Sequence, residues 1–470
     1  DSMNEIESKI DNMDRALQRK NLSYACFKAM SPGEQRNAWA IRSAGLGLLM
    51  SVKGDSKPLP FVEDTAVAPE KLPEYIRRFD SIVKSHNTNA GYYGHASVGC
   101  LHIRPMINIK TQKGLQDLVS ISDEISDLVL EFNGSMSGEH GDGIVRGVWT
   151  EKMLGSTLYQ AFKDLKHTFD PHNILNPGKI INTPPMTENL RLGPKYQATE
   201  PSTILDFSRD GGFARAIEMC NGVGECRKHL TGTMCPSYMA TRDEQHSTRG
   251  RANALRAAIS GLLPFEEFTS DRMFNVMDLC LECKACKAEC PSQVDMAKLK
   301  YEFLGLYHKS NGFKLNNRFF SNVSLLSQIG VFFAPVTNWL LNALPTKILM
   351  EKFIGIDKRR NLPHFASQTL RQWFRSRNST VPKAATKGKV VLFPDTTTNY
   401  NHPDIGIAAV RVIEKLGYEV IIPDAKCCGR PMLSNGMIDR AKKNIKSNID
   451  IICCSNDLFF LNLYISSLFY

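Results

Sequence analysis

At 470 residues the chain is long enough for about three domains of roughly 150 residues each, and its 42% apolar and 23% charged content excludes a disordered or collagen-like protein. Thirteen cysteines are many for an ordinary intracellular enzyme, yet nine of them lie in metal-like clusters or a Cys-Cys-Gly pair. That pattern excludes a secreted disulfide scaffold and implies a reducing compartment. The net charge of +10 is uneven, because residues 358–389 hold nine Lys or Arg and no Asp or Glu.

Residues 1–185 read as an α+β domain, with strands over 59–67 and 92–109 and helices over 72–86 and 114–132. Within it, Gly94-His95-Ala96-Ser97-Val98-Gly99-Cys100-Leu101-His102 carries two imidazoles at an odd spacing, which a regular strand would place on opposite faces. Gly94 and Gly99 permit the bulge or turn that brings them together. Further on, Ser137-Gly138-Glu139-His140-Gly141-Asp142-Gly143 sets a carboxylate beside an imidazole in a glycine-rich loop. Neighbours in extended backbone point opposite ways, so Glu139 is expected to complete a His-His-Glu site while His140 faces a substrate. Such a donor set suits a zinc-like or manganese-like ion with one open position. A phosphate cradle is the other reading of the loop, and the charges of Glu139 and Asp142 oppose it.

A linker over 186–205 leads to a mainly helical block at 206–312, with helices expected at 250–262 and 296–308 and cysteine loops between them. In Cys280-Leu-Glu-Cys283-Lys-Ala-Cys286-Lys-Ala-Glu-Cys290-Pro291, three cysteines can wrap one [4Fe–4S] cluster while the fourth points at a second. Cys220, Cys226 and Cys235-Pro236 repeat the pattern imperfectly, since Val223 stands where a middle cysteine would be. Taken crosswise, Cys280, Cys283 and Cys286 with Cys235 form a complete site. Cys220 and Cys226 with Cys290 form a weaker one that needs another ligand, holds a [3Fe–4S] cluster or stays empty. Structural zinc is the alternative for the second motif.

Residues 313–388 read as a helical and basic connector. The apolar stretch 319–349 is interrupted by Asn322, Ser324, Ser327, Gln328, Pro335 and Asn338, and it falls short of the roughly 18 apolar residues of a spanning helix. A buried helical pair is expected there, and lying on a membrane surface is the alternative. The basic run that follows is either a solvated linker or a dock for an anionic membrane or an acidic electron acceptor. Only Phe365, Trp373 and Phe374 interleave with its charge, which argues against nucleic acid. Over 389–454, a strand at 389–394, a helix at 404–416 and a strand at 418–422 make a βαβ unit leading into Cys427-Cys428-Gly429. The vicinal thiols are cluster ligands, a redox pair or two buried structural cysteines.

Together these motifs resemble a known family. Gly94-His95 to Leu101-His102, Gly138-Glu139-His140-Gly141 and Leu175-Asn176-Pro177-Gly178-Lys179 are similar to the substrate-capping domain of FAD-linked D-2-hydroxyacid dehydrogenases of the vanillyl-alcohol-oxidase type. The cysteine block resembles the di-cluster ferredoxin domain fused to some of them, and Cys427-Cys428-Gly429 resembles the first half of a CCG domain. The resemblance implies that His95, His102 and Glu139 bind the metal, that His140 is the general base and that Arg42 grips the substrate carboxylate. It also implies that Asn176 lies against the flavin. Arg104, on the strand face of His102, is a second candidate cation, and Val62 replaces a lysine of some relatives.

The expected activity is oxidation of a small 2-hydroxyacid such as D-lactate, glycolate or D-2-hydroxyglutarate. FAD, a divalent metal such as zinc or manganese, and 4Fe–4S clusters would pass the electrons to a quinone-linked or soluble acceptor. The rival expectation is a non-catalytic iron–sulfur subunit serving a separate flavoprotein, and a third is a gene fragment without activity of its own. A cytoplasmic location is expected, with peripheral attachment to the inner membrane face as the alternative. The family's main FAD-binding domain is expected to precede this chain, whose start at Asp1 reads as a cut. At the other end Cys453-Cys454 is followed by Ser455 in place of glycine, and 455–470 reads as an atypical tail of a truncated or frame-shifted gene.

Overall fold

The computed structural model describes residues 2–377, 387–453 and 458–460. Residues 1–196 with 289–293 make one compact unit, and 197–288 with 294–470 make the other. One division falls at 196/197, within the 186–205 segment, and residues 289–293 of the cysteine block are grouped with the first unit.

In the first unit, β4 (Cys100–Ile107) is the central strand of a small antiparallel sheet, pairing with β1 (Lys57–Pro58), β2 (Thr65–Ala66) and β3 (Ala90–His95). The strand expected over 92–109 is therefore a hairpin. Its turn is set by Gly99, whose φ is +71° and whose missing Cβ would lie 1.7 Å from the Val67 carbonyl oxygen, so no other residue fits. The strand expected over 59–67 shrinks to two short ends. Between them the chain turns inward at Asp64, where φ is +73°, and residues 61–65 are all buried.

The two expected helices form as Leu72–Ser85 and Gln112–Glu131, the second begun by Thr111, whose hydroxyl accepts the Gly114 N–H. Tyr75, Phe79 and Val83 repeat every four residues, so they share one face. They pack with Ile103, Ile121, Ile125 and Val129 into the unit's core. Each such side chain contributes about 1.5–3 kcal/mol of burial. Two further helices, Met3–Arg19 and Pro32–Met50, precede the sheet, and Ser31 with Glu34 forms a capping box at the start of the second.

In the second unit, the cysteine loops connect helices Thr248–Ile259, Asp271–Asp278 and Met296–Asn311, close to expectation. The βαβ unit is present. Parallel strands β5 (Lys389–Val391) and β6 (Glu419–Ile421) flank the helix Pro403–Lys415 in sequence, and β7 (Leu458–Phe460) pairs along the other edge of β5. The α/β fold thus extends past residue 454 into the segment expected to be an atypical tail. Cys454, Ser455 and residues 461–470 lie outside the described residues. Helices Arg430–Leu433 and Ile438–Cys453 pack Met432, Leu433, Ile438 and Ala441 onto Ala297 and Tyr301 of the helix Met296–Asn311.

Two expectations for 313–388 need correction. No buried helical pair forms. Instead 315–354 folds as four short helices, Leu315–Ser321, Val323–Phe332, Ala334–Asn342 and Leu344–Ile354, and Pro335 and Pro345 stand in the first turns of the last two. Among the described residues no single helix is long and apolar enough to cross a membrane, and the middle two meet at 113°. Phe332, Phe333, Val336, Trp339 and Leu344 are exposed along 332–344. The basic run is a solvated linker only at its start, where Lys358, Arg359 and Arg360 are exposed on irregular chain, and not from residue 369 on. Thr369 caps the helix Leu370–Ser376, Trp373 and Phe374 pack against the β5 core, and Arg377 grips Glu414 through two 2.6 Å hydrogen bonds. Residues 378–386 of the run lie outside the described residues.

Candidate active site and cysteine cradle

The β3–β4 hairpin pairs Tyr93 with His102 and His95 with Cys100, which brings the two imidazoles to 5.3 Å between ring centroids. The 137–143 loop then adds Glu139. One of its carboxylate oxygens, Oε1, lies 3.5 Å from His95 Nε2, 3.1 Å from His102 Nε2 and 3.2 Å from His140 Nε2. His95, His102 and Glu139 thus approach one another, but the group whose ligand atoms all lie within 4.8 Å of one another is Asp64, His102, Glu139 and His140, without His95.

His140 does not face away as extended backbone would require; its ring stacks on His102 with centroids 5.1 Å apart. The reason is Asp64. Its carboxylate accepts the backbone N–H groups of both Glu139, at 3.0 Å, and His140, at 2.8 Å, together with the Ser137 hydroxyl at 2.6 Å. Successive N–H groups aimed at one anion form a compact nest, so the two side chains leave the loop side by side. Burial pushes the Asp64 carboxyl up, but these hydrogen bonds outweigh it and hold the group below the usual carboxylate range. The Cys100 thiol, buried and donating to Asp64, is pushed up to about 12.

The sequence reading missed Asp64. The signal was there: an acidic pair, Glu63-Asp64, breaks an otherwise apolar run and must find partners when buried. Glu63 binds Arg104, whose Nε and Nη2 both lie 2.7 Å from Glu63 Oε2, while Oε1 lies 3.9 Å from His140 Nδ1. Arg104 is thus a buried, paired cation. Arg42 is exposed, on the helix Pro32–Met50, and Tyr93 was also missed. The guanidinium carbons of Arg42 and Arg104 each lie 5.9 Å from the Tyr93 ring, and that ring packs 4.9 Å from His102. Val62 is fully buried in the core.

Burial lowers the His102 pKa, which favours the neutral ring a metal needs. The donor set of imidazoles and a carboxylate fits a divalent ion. The outer side stays open, with the side chains of His95, Glu139 and His140 42–47% exposed. Asn176 is exposed at φ +50°, on a segment tied to the loop by the Ile180 N–H bonding to the Gly143 carbonyl at 2.8 Å.

In the second unit Cys235, Cys280, Cys283 and Cys286 line one cavity, the four cysteines paired crosswise from the sequence. Arg251 lines it as well and is wholly buried. Burial pushes the Cys286 thiol up to about 12. At Cys235 burial also acts upward, but the Ser237 hydroxyl and Arg251 outweigh it and lower the thiol. Cys220 and Cys226 are buried nearby in sequence, and Cys226 accepts the Arg249 N–H at 3.3 Å. Cys290 is half-buried and falls in the segment grouped with the first unit. Cys427 and Cys428 are half-buried at the start of the helix Arg430–Leu433. The Cys428 thiol donates to Cys427, lowering the Cys427 pKa and raising its own.

Comparison with known proteins defines the class. Residues 1–180 match the family of FAD linked oxidases, C-terminal domain; residues 219–295 match the 4Fe-4S dicluster domain; and residues 392–458 match the cysteine-rich CCG domain. The chain thus carries, in order, stretches similar to the C-terminal domain of FAD linked oxidases, to a 4Fe-4S dicluster domain and to a cysteine-rich domain. It is similar to D-2-hydroxyglutarate dehydrogenase of Escherichia coli (strain K12), at 28% identity over 96% of this chain and 48% of that protein. The enzyme of the same name from Pantoea ananatis (strain AJ13355) is 28% identical over 88% of this chain and 44% of that protein. D-lactate dehydrogenase of Anaerostipes hadrus is 31% identical over 32% of this chain and 31% of that protein. The chain spans about half the length of the D-2-hydroxyglutarate dehydrogenases it matches.

Proposed function

We propose that this chain is the substrate-capping and electron-relaying portion of an FAD-dependent dehydrogenase that oxidises a small D-2-hydroxyacid to the 2-oxoacid. The observation that carries the reading is the approach of three imidazoles to one oxygen of Glu139, beside an exposed arginine. In it His95, His102 and Glu139 hold a divalent ion such as zinc or manganese, which acidifies the substrate hydroxyl when bound. Arg42 orients the substrate carboxylate. His140 takes the hydroxyl proton on Nε2, and a Glu63 carboxylate oxygen lies 3.9 Å from its Nδ1. Asn176 would lie against FAD, which when bound would supply the hydride acceptor. Cys235, Cys280, Cys283 and Cys286 hold one 4Fe–4S cluster; Cys220 and Cys226 contribute to a second; Cys427 and Cys428 belong to the onward acceptor site.

D-2-hydroxyglutarate dehydrogenases align along almost the whole chain, which favours D-2-hydroxyglutarate over D-lactate or glycolate as substrate. Peripheral docking on an anionic membrane, where a quinone would accept the electrons, draws support from the exposed apolar residues of 323–344 and from the absence of Asp or Glu between residues 303 and 350. Localisation at the inner membrane face follows from that docking.

The test is substrate-driven flavin bleaching in the intact FAD-loaded protein. His140→Ala should abolish it with metal content unchanged, whereas Cys283→Ser should leave it and block transfer to an artificial acceptor. If both variants pass electrons on as the native protein does, the reading fails.

A further inference from the structure

Arg251 is a permanent charge in an unusual place. It lies on the helix Thr248–Ile259 and is 0% exposed, the largest fully buried side chain in the described residues. Its Nε donates to the Val276 carbonyl at 3.0 Å, its Nη2 to the Ser237 hydroxyl at 2.9 Å, and its Nη1 reaches the Cys235 sulfur at 3.6 Å. None of these three acceptors is a carboxylate. A guanidinium cannot shed its proton in a protein, and burying it without an opposite charge costs several kcal/mol.

The other buried cation nearby is different. Lys300 donates to the Cys280 carbonyl at 2.7 Å and has Glu282 at 3.4 Å, so its charge is matched within the protein. Among the described residues lining the Arg251 cavity the one carboxylate is Glu282, which Lys300 takes, so Arg251 is left with the sulfurs. Its charge is therefore balanced by whatever net-negative group those four thiolates hold.

We propose that Arg251 is the fixed counter-charge of the cluster held by Cys235, Cys280, Cys283 and Cys286, and that it raises this cluster's reduction potential. The inference rests on the cluster assignment above. A cluster accepting one electron from a reduced flavin gains one negative charge, with no bond made or broken. A buried cation beside one of its sulfurs stabilises the reduced state more than the oxidised one, and low local polarity keeps that difference large. Arg251 acts through Cys235 and is a positioning residue. It makes this site the one that retains the electron in preference to a site without such a charge.

The experiment is an EPR-monitored redox titration of the anaerobic, iron-loaded chain with dithionite as reductant. Arg251→Met removes the charge at similar volume, and Arg251→Lys keeps it. At the native midpoint potential the reduced-to-oxidised ratio should fall at least tenfold in Arg251→Met, equivalent to about 59 mV for one electron. It should stay within a few-fold in Arg251→Lys. If Arg251→Met loses its iron, Arg251→Gln, which removes the charge but keeps polar groups for the Ser237 hydroxyl and the Val276 carbonyl, should lower the same ratio while retaining iron. An iron-containing Arg251→Met with the native midpoint overturns the inference, and so does an unshifted Arg251→Gln where Arg251→Met cannot be loaded. Zinc without iron in the native chain overturns the cluster assignment itself, a separate failure that the metal analysis reveals before any titration.

Discussion

The carboxylate of Asp64 accepts the backbone N–H of His140 at 2.8 Å, so a buried acid on the segment between β1 and β2 decides how a loop 76 residues later presents its imidazole. The side-by-side exit of Glu139 and His140 depends on it. Asp64→Asn keeps the shape but replaces acceptor oxygens facing several donors with an amide. It should destabilise the protein by about 2–4 kcal/mol in chemical denaturation. It should also weaken zinc or manganese binding in calorimetry, and native affinity in the variant would show that the loop holds its own geometry.

Gly99 and Gly141 both have left-handed backbones, but their surroundings differ. A Cβ at Gly99 would lie 1.7 Å from the Val67 carbonyl oxygen, whereas nothing lies within 4 Å of one at Gly141, where φ is +77°. Gly99→Ala should cost more than about 3 kcal/mol or prevent folding, and Gly141→Ala only the backbone strain of about 1–2 kcal/mol. Thermal unfolding of the two variants separates clash from strain.

The Arg104–Glu63 pair makes a double-mutant cycle informative. Both side chains are about 10% exposed, so Arg104→Met alone leaves a buried carboxylate without its cation and should cost about 3–5 kcal/mol. Arg104→Met with Glu63→Gln should cost much less than the sum of the two single changes. Additive losses in denaturation would mean that the pair is not coupled.

His86 gives the first unit a pH dependence. Burial pushes its pKa down, but Glu124 at 2.7 Å and Asp117 at 3.3 Å outweigh that and raise it above the ordinary value near 6.5. A raised folded-state pKa adds stability that is fully present below about pH 6.5 and is lost as pH rises through the folded value. His86→Gln should therefore be less stable than the native chain at pH 5.5 by about 1 kcal/mol or less, with the gap closing by pH 8.5. A gap independent of pH would contradict the ion pairing.

Local pattern alone determined a good deal of this protein. Helical periodicity placed Leu72–Ser85 and Gln112–Glu131 within two residues of their ends, because their apolar stripes answer to one core. Cysteine spacing assembled Cys235 with Cys280, Cys283 and Cys286, since thiolates that share a ligand must converge whatever lies between them. The glycines around His95 and His102 announced their turn. Tertiary structure decided the rest, because it turns on partners distant in sequence. Asp64 overrode the alternation expected of Glu139 and His140, Glu63 paired with Arg104, and Glu414 drew the basic segment at Arg377 into a fold. Nothing in a window around any of these residues reveals its partner. The same holds for Arg251, an ordinary helical arginine by sequence, which becomes a buried charge with no carboxylate among its hydrogen-bond partners only because folding removes it from water and sets it against Cys235.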